Sequence, residues 1–443
     1  MVNENILKLW LRFVIPSIVG VLLNTIYVMV DGIFVGQGAG EEALAAVNLA
    51  WPAVTIILGL GALLGTGATI LVAKKLGEND KDSAEKIFAT TIKYTFFVGL
   101  FLMLIGLLFA DFITKLLGAN EDTFQYTKDY FVIIYLMSIP YLFSSSLNQL
   151  VRADGNPNLS MIMVSTGAIL NVILDWLLVI KFQMGTTGAA LATGCGVSVS
   201  TIIGLYYFTY GKSNLKLRKN NLKFNTHVLI NTCRIGAASL FMQLSVGLII
   251  LIQNNVIYKY GNTIDVAVFC VAGYIFSIYA QIAIGIVQGI QPVIAFHFGA
   301  SEFKRLKKLL TITLGVSIGL GLLFLGFLGL FGEELILLYG ISESVLESAY
   351  TRIFIFSLGT PAVGVVYTMS SYYQATNKTT YASIITLGRG LFLQAFFVLT
   401  LPIFFGVNGV FFGQAASDIS ALFLVLGLVC LDVRKKNSII NPV

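Results

Sequence analysis

Apolar stretches of about 20 residues, each long enough for a helix to cross a bilayer, recur from one end of this chain to the other. Only short polar connections separate them, which leaves no room for a detached soluble domain. Composition agrees with that pattern. Of the 443 residues 57% are hydrophobic and 11% charged, against about 25% charged in soluble domains, and the mean hydropathy is +0.86. The fold class implied is an all-α integral membrane protein. The first apolar run follows Lys8 and Arg12, is too long for a signal-peptide core and lacks a small-residue cleavage site, so it reads as a retained span. Cys195, Cys233, Cys270 and Cys430 are scattered through apolar segments without paired spacing, which points to neither a disulfide framework nor a metal site.

Twelve spans are predicted, near 8–36, 47–74, 87–110, 126–151, 160–181, 186–210, 227–258, 264–297, 308–331, 347–373, 381–405 and 408–431. Several are longer than a bilayer needs, which implies tilt or kinks. Pro16 is the candidate kink in span 1. Lysine and arginine crowd onto one set of segments: the N-terminus, the loops after spans 2, 4, 6, 8 and 10, and the C-terminus. The opposite set holds only Lys115, Lys128, Lys181 and Lys259, while Arg352 and Arg389 fall within spans. The positive-inside rule then predicts a multi-pass protein of the plasma (inner) membrane with both termini cytoplasmic.

The chain also repeats itself. "GTGATILVAKKLGENDKDSAEKI" from Gly65 parallels "VQGIQPVIAFHFGASEFKRLKKL" from Val287, so that Gly67 and Gly77 match Gly289 and Gly299 at an offset of 222. Pro140 pairs with Pro361, Ala153 with Ala375 and Gly188 with Gly409 at 221 or 222. Two lobes of six spans are expected, residues 1–215 and 216–443, with the basic segment at 211–234 as linker. Six spans per lobe give both the same orientation, making them parallel repeats.

Three acids lie well inside spans: Asp31, Asp175 and Asp418. Ionisable groups there cost several kcal/mol and mark pathways or relays. At 1.5 Å per residue, Asp31 lies about 9 Å below the end of span 1, Asp175 about 12 Å below the end of span 5 and Thr193 about 10 Å into span 6. Three spans of one lobe therefore bring polar groups to one level. Faces agree as well as depths. Ser17, Asn24, Tyr27 and Asp31 share a stripe of span 1, Asn171 and Asp175 a face of span 5, and Ala189, Thr193, Gly196 and Ser200 a face of span 6. Two nearby carboxylates cannot both ionise cheaply, and hard oxygens suit a hard cation, so this set reads as a reversible site for a proton or a sodium-like ion. The alternative is a structural carboxylate hydrogen-bonded between helices. The second-lobe positions matching Asp31, Asp175 and Thr193 fall near Gln253, Phe397 and Gln414, where the acids are gone. Asp418 and Arg389 are expected to pair structurally.

At these residues the chain resembles the MATE (multidrug and toxic compound extrusion) family, most like its DinF-like branch. The likeness covers the whole chain through "VDGIFVGQGAGEEALAAVNLAWP", "RADGNP", "NVILDWLLV", "GAALAT", "QGIQPVIAFHFGA" and "GQAASD". It implies a V-shaped, two-lobe exporter driven by H+ or Na+ with no other cofactor. Carried over by motif position, it implies a first-lobe cation site at Asp31, Asn171, Asp175, Thr193 and the Ala189 carbonyl. The neighbouring polar network would be Asn24, Tyr27 and Asn148, and helix 1 would bend at Pro16. Relatives with a carboxylate in helix 7 have Gln253, Asn254 and Asn255 here instead.

The implied partners are small-molecule drugs or toxic metabolites and the lipid bilayer, with no nucleic acid and a functional monomer. Three rival readings fit less well. A lipid-linked-precursor flippase needs a basic cavity, whereas the buried charge here is acidic. An intramembrane aspartyl protease needs a GxGD context that neither Asp31 nor Asp175 has. An ATP-driven pump needs a GxxxxGK[ST] loop, which the sequence lacks.

Overall fold

The computed structural model describes residues 2–216, 225–339 and 341–434. Arg218, Lys219, Lys223, Lys435 and Lys436, and with them the centre of the 211–234 linker, lie outside the described residues. Among the described residues there is no strand. The first repeat contains α1 (Ile6–Ala39), α2 (Glu41–Gly77), α3 (Lys81–Leu108), the short α4 (Ala110–Leu116), α5 (Glu121–Leu136), α6 (Ser138–Ala153), α7 (Pro157–Asp175) and α8 (Gly185–Thr209). The second contains α9 (Thr226–Tyr260), α10 (Thr263–Gly299), α11 (Phe303–Leu338), α12 (Leu346–Ser357), α13 (Thr360–Ala375), α14 (Thr379–Leu387), α15 (Gln394–Phe405) and α16 (Asn408–Arg434).

Eleven of the resulting spans are long and apolar enough to cross a membrane by themselves. The twelfth is the pair α5 and α6, bent by 55° at Met137. Two spans contain a turn of π-helix: Trp176–Lys181 continues α7, and Gly388–Leu393 joins α14 to α15. Helix starts follow local chemistry. Asp80 accepts from the Ser83 N–H, Asn120 and Asn262 form capping boxes with Thr123 and Asp265, and Asn156 caps α7 just before Pro157. Helix α1 runs unbroken through Pro16, which has no N–H to give the Arg12 carbonyl.

By Cα proximity the chain forms two compact units, 12–243 and 1–11 with 244–443. The first turns of α1 thus count with the second repeat, and the first half of α9 counts with the first. In unit 12–243, Ile57, Phe131, Ile134, Leu142 and Ala189 belong to one core. In the other unit Ile257, Ala272, Leu328, Ile353 and Phe411 do the same. There Arg352, one of the two cations inside spans, pairs with Asp265 at 2.5 Å and donates to Asn408 at 2.8 Å.

The tightest crossing in unit 12–243 is between α2 and the start of α9. A Cβ on Gly236 would lie 1.8 Å from the Leu63 carbonyl oxygen, and one on Gly67 would lie 2.0 Å from that of Thr232. Backbone atoms block both positions, so a side chain forces the helices apart. Gly236→Ala is expected to destabilise the protein by about 1–3 kcal/mol or more, as overpacking does. A thermal unfolding shift in detergent measures it. A midpoint equal to that of the wild type would show that the crossing is looser than described.

Candidate functional site

Asp31 on α1 is 8% exposed and Asp175 at the end of α7 is 0% exposed. Their carboxyls face each other within hydrogen-bond reach, and Asn171 sits beside Asp175. Asn171 Nδ2 donates to Thr193 Oγ1 at 3.2 Å, and the Thr193 hydroxyl donates to the Ala189 carbonyl at 3.0 Å. All five residues of the expected site are therefore joined in one cluster. The decisive feature is what the cluster lacks. Asp31 Oδ1, both oxygens of Asp175 and Asn171 Oδ1 are buried acceptors with no hydrogen-bond donor among the described residues. Buried acceptors left unpaired carry their full desolvation penalty, and two facing carboxylates repel. A shared proton, or a small cation with oxygen ligands, relieves both costs. Among the described residues no group of three or more His, Cys, Asp or Glu side chains could hold a metal ion, and the oxygens gathered here are those of two acids, an amide, a hydroxyl and a backbone carbonyl.

Backbone geometry produces this convergence. Helices α7 and α8 touch where a Cβ on Gly167 would meet the Gly196 carbonyl oxygen at 2.8 Å, and a Cβ on Gly196 would meet that of Gly167 at 2.6 Å. That approach brings Asn171 within reach of Thr193. The π turn begins at the residue after Asp175. A widened turn there re-aims the acid, as such turns frequently do at functional sites.

Next to the cluster is a cavity of about 60 Å³, lined among others by Asn24, Tyr27, Gly167, Asn171, Thr193 and Val197. It is large enough for a few waters, and no lysine or arginine lines it. Asn24 and Tyr27 thus line this cavity, and the Asn24 side of α1 is exposed. Asn148 does not line the cavity. Its Nδ2 donates to the Ser160 carbonyl at 2.8 Å and its Oδ1 accepts from Arg152 Nη2 at 2.7 Å. Tyr130 and Tyr141, on either side of the 55° bend, lie within electrostatic reach of Asp31, Asp175 and Tyr27. Sequence reasoning misses both, because nothing sets them apart from the other 17 of the 19 tyrosines.

A family model described as MatE matches the chain twice, over residues 16–177 and 238–400. The chain belongs to the MATE family. Each match falls within one repeat and ends before that repeat's last span, α8 or α16, and the protein is a membrane transporter rather than an enzyme. Multidrug export protein MepA of Staphylococcus aureus (strain MRSA252) is 26% identical over 411 residues, which is 92% of this chain and 88% of MepA. A crystal structure of MATE in complex with MaL6 superposes with a TM-score of 0.92 at 22% identity, covering 98% of both chains. A MOP superfamily transporter from Pyrococcus furiosus superposes with a TM-score of 0.89 at 23% identity, covering 96% of this chain and 95% of that one.

The second repeat of this MATE protein corrects the register expected from sequence. Equivalent contacts identify equivalent residues. The Cβ position of Gly188 meets the Leu178 carbonyl carbon at 3.1 Å, and that of Gly409 meets the Leu401 carbonyl carbon at 2.4 Å. Gly188 and Gly409 are 221 apart, but Leu178 and Leu401 are 223 apart. Asp175 therefore matches Val398, fully buried, and not Phe397. The π turns are the physical reason. Each absorbs one extra residue, and the turn at Gly388–Leu393 precedes its counterpart in the repeat. The acid is absent at either position.

Proposed function

We propose that this protein is a multidrug efflux antiporter that exports amphiphilic, often cationic, organic compounds by alternating access, driven by H+ or Na+. The observation that carries the reading is the set of donorless buried oxygens on Asp31, Asn171 and Asp175 beside a small cavity. Thr193 and the Ala189 carbonyl complete the proposed ligand set. Binding of a proton or sodium ion neutralises the acids, and the ion and the drug each favour a different conformation, which is what couples them. Tyr27 offers a face to a drug cation, with Asn24 and Asn148 in the polar surroundings. Pro16 lets α1 bend as the site changes access. The export of drugs by MepA supports the cargo class. In the cell the protein works as a monomer in the plasma (inner) membrane with both termini cytoplasmic, its halves 1–215 and 216–443 acting as the two lobes.

The test is drug efflux from proteoliposomes, with sodium varied at fixed pH and then pH varied at fixed sodium. Efflux is expected to follow at least one of the two gradients. Efflux indifferent to both would overturn the ion coupling. A flippase for phosphate-bearing lipids is disfavoured by the absence of lysine and arginine from the cavity lining.

A further inference from the structure

The second repeat places its own buried charge where the first repeat has its cavity. Asp418 is 0% exposed and Arg389 is 8% exposed. Arg389 Nε donates to Asp418 Oδ1 at 2.8 Å, and Gln414 Nε2 donates to Asp418 Oδ2 at 2.9 Å. Arg389 Nη1 donates to the Tyr367 hydroxyl at 2.9 Å, and its guanidinium lies 4.7 Å from the centre of the Tyr367 ring. Gln394 donates to Gln414. Every oxygen of this acid therefore has a donor, whereas both oxygens of Asp175 have none.

The contacts also establish which first-repeat positions these are. Gly196 packs on the Gly167 carbonyl, and the Ser417 hydroxyl donates to the Arg389 carbonyl at 3.5 Å. The Asn171 amide donates to Thr193, and the Gln394 amide donates to Gln414. Arg389, Gln394, Gln414 and Asp418 thus stand at the positions of Gly167, Asn171, Thr193 and Val197. All four of those line the first-repeat cavity. At one pseudo-equivalent locus, one repeat has open space and the unpaired Oδ1 of Asn171, beside the two facing acids. The other has a guanidinium already seated on a carboxylate.

We propose that Arg389 is a tethered cation, filling in the second repeat the space that in the first is the open cavity adjoining the ion site, and thereby limiting the transporter to one coupling site. Asp418 is then a latent ion-binding carboxylate that Arg389 keeps silent. This inference rests on the ion-coupling reading of the first repeat, so its test reads the two acids separately. The full-length protein is treated with a hydrophobic carbodiimide, which modifies protonated carboxyls in apolar surroundings, and each acid is followed by peptide mass spectrometry with and without sodium.

In the wild type, Asp418 is expected to stay unmodified from acidic to neutral pH. In Arg389→Gln its modification is expected to rise by about tenfold or more, as removing an adjacent opposite charge favours the protonated acid, and to fall again with rising pH or sodium. Arg389→Lys, which keeps a cation, is expected to remain unmodified. Asp418 no more reactive in Arg389→Gln than in the wild type would overturn the proposal. Should Arg389→Gln fail to fold, the wild type still decides: an Asp418 that reacts there, with protection by sodium, overturns it. Reactivity of Asp31 in the same samples reports on the first-repeat site alone, so failure of the two readings is distinguishable.

Discussion

In Asp31→Asn, ion-driven drug efflux is expected to disappear while the protein still folds and inserts. The substitution is nearly isosteric, so helix packing around residue 31 is retained. It removes one of two facing carboxylates and adds an amide N–H that can donate to an orphaned oxygen of Asp175, so the variant loses repulsion as well as function. What vanishes is the free energy by which ion binding separates the conformations, about 1–3 kcal/mol in systems of this kind. The measurement is uptake of a fluorescent cationic drug into inverted vesicles under an imposed ion gradient, with binding of the same drug to purified protein as control. Binding to the purified protein is expected to survive, while uptake into the vesicles no longer responds to the gradient. Coupled transport at the wild-type rate would sink the assignment of Asp31.

The second large effect is expected at Arg389 and concerns stability. Arg389→Ala leaves Asp418 fully buried with Gln414 as its remaining donor. Removing one partner from a buried ion pair costs about 3–5 kcal/mol, because the other charge stays desolvated without compensation. The double variant Arg389→Met with Asp418→Met is expected to recover most of that loss, since the desolvation of both charges goes with the charges. Thermal unfolding in detergent, run as a double-mutant cycle, separates these outcomes. Independent, additive losses would mean that the pair is not coupled as its 2.8 Å contact implies.

The cluster of Asp31, Asn171, Asp175 and Thr193 is legible in the sequence for a specific reason. Depth along a helix follows from residue count, and face follows from spacing, so polar groups on three spans fall at one level by arithmetic alone. The pairing of Arg389 with Asp418 is legible on similar grounds, because a buried charge within a span seeks its opposite. Tyr130 and Tyr141 are not legible, since their reach toward the acids depends on the size and direction of a 55° bend between α5 and α6, which Pro140 allows by having no N–H for the Leu136 carbonyl but whose angle the sequence does not give. Asn148 shows the converse. The family resemblance puts it in the polar network beside the site, yet its amide is taken up by Ser160 and Arg152.

By itself the sequence determined the membrane class, the twelve spans, the duplication and the three intramembrane acids. Each of these rests on local quantities: run length, hydropathy and the positions of small residues and charges. The tertiary structure alone decided which buried oxygens lack donors, where the compact units divide, and how the repeats align through their last spans. That alignment turns on two π turns, each adding one residue to a helical turn, which hydropathy does not register because it reports composition and not the number of residues per turn. At the offset of 222 read from the sequence Arg389 already falls on Gly167, but only with the register corrected to 223 past the π turn does Gln394 fall on Asn171, the first-repeat residue that meets Thr193 as Gln394 meets Gln414.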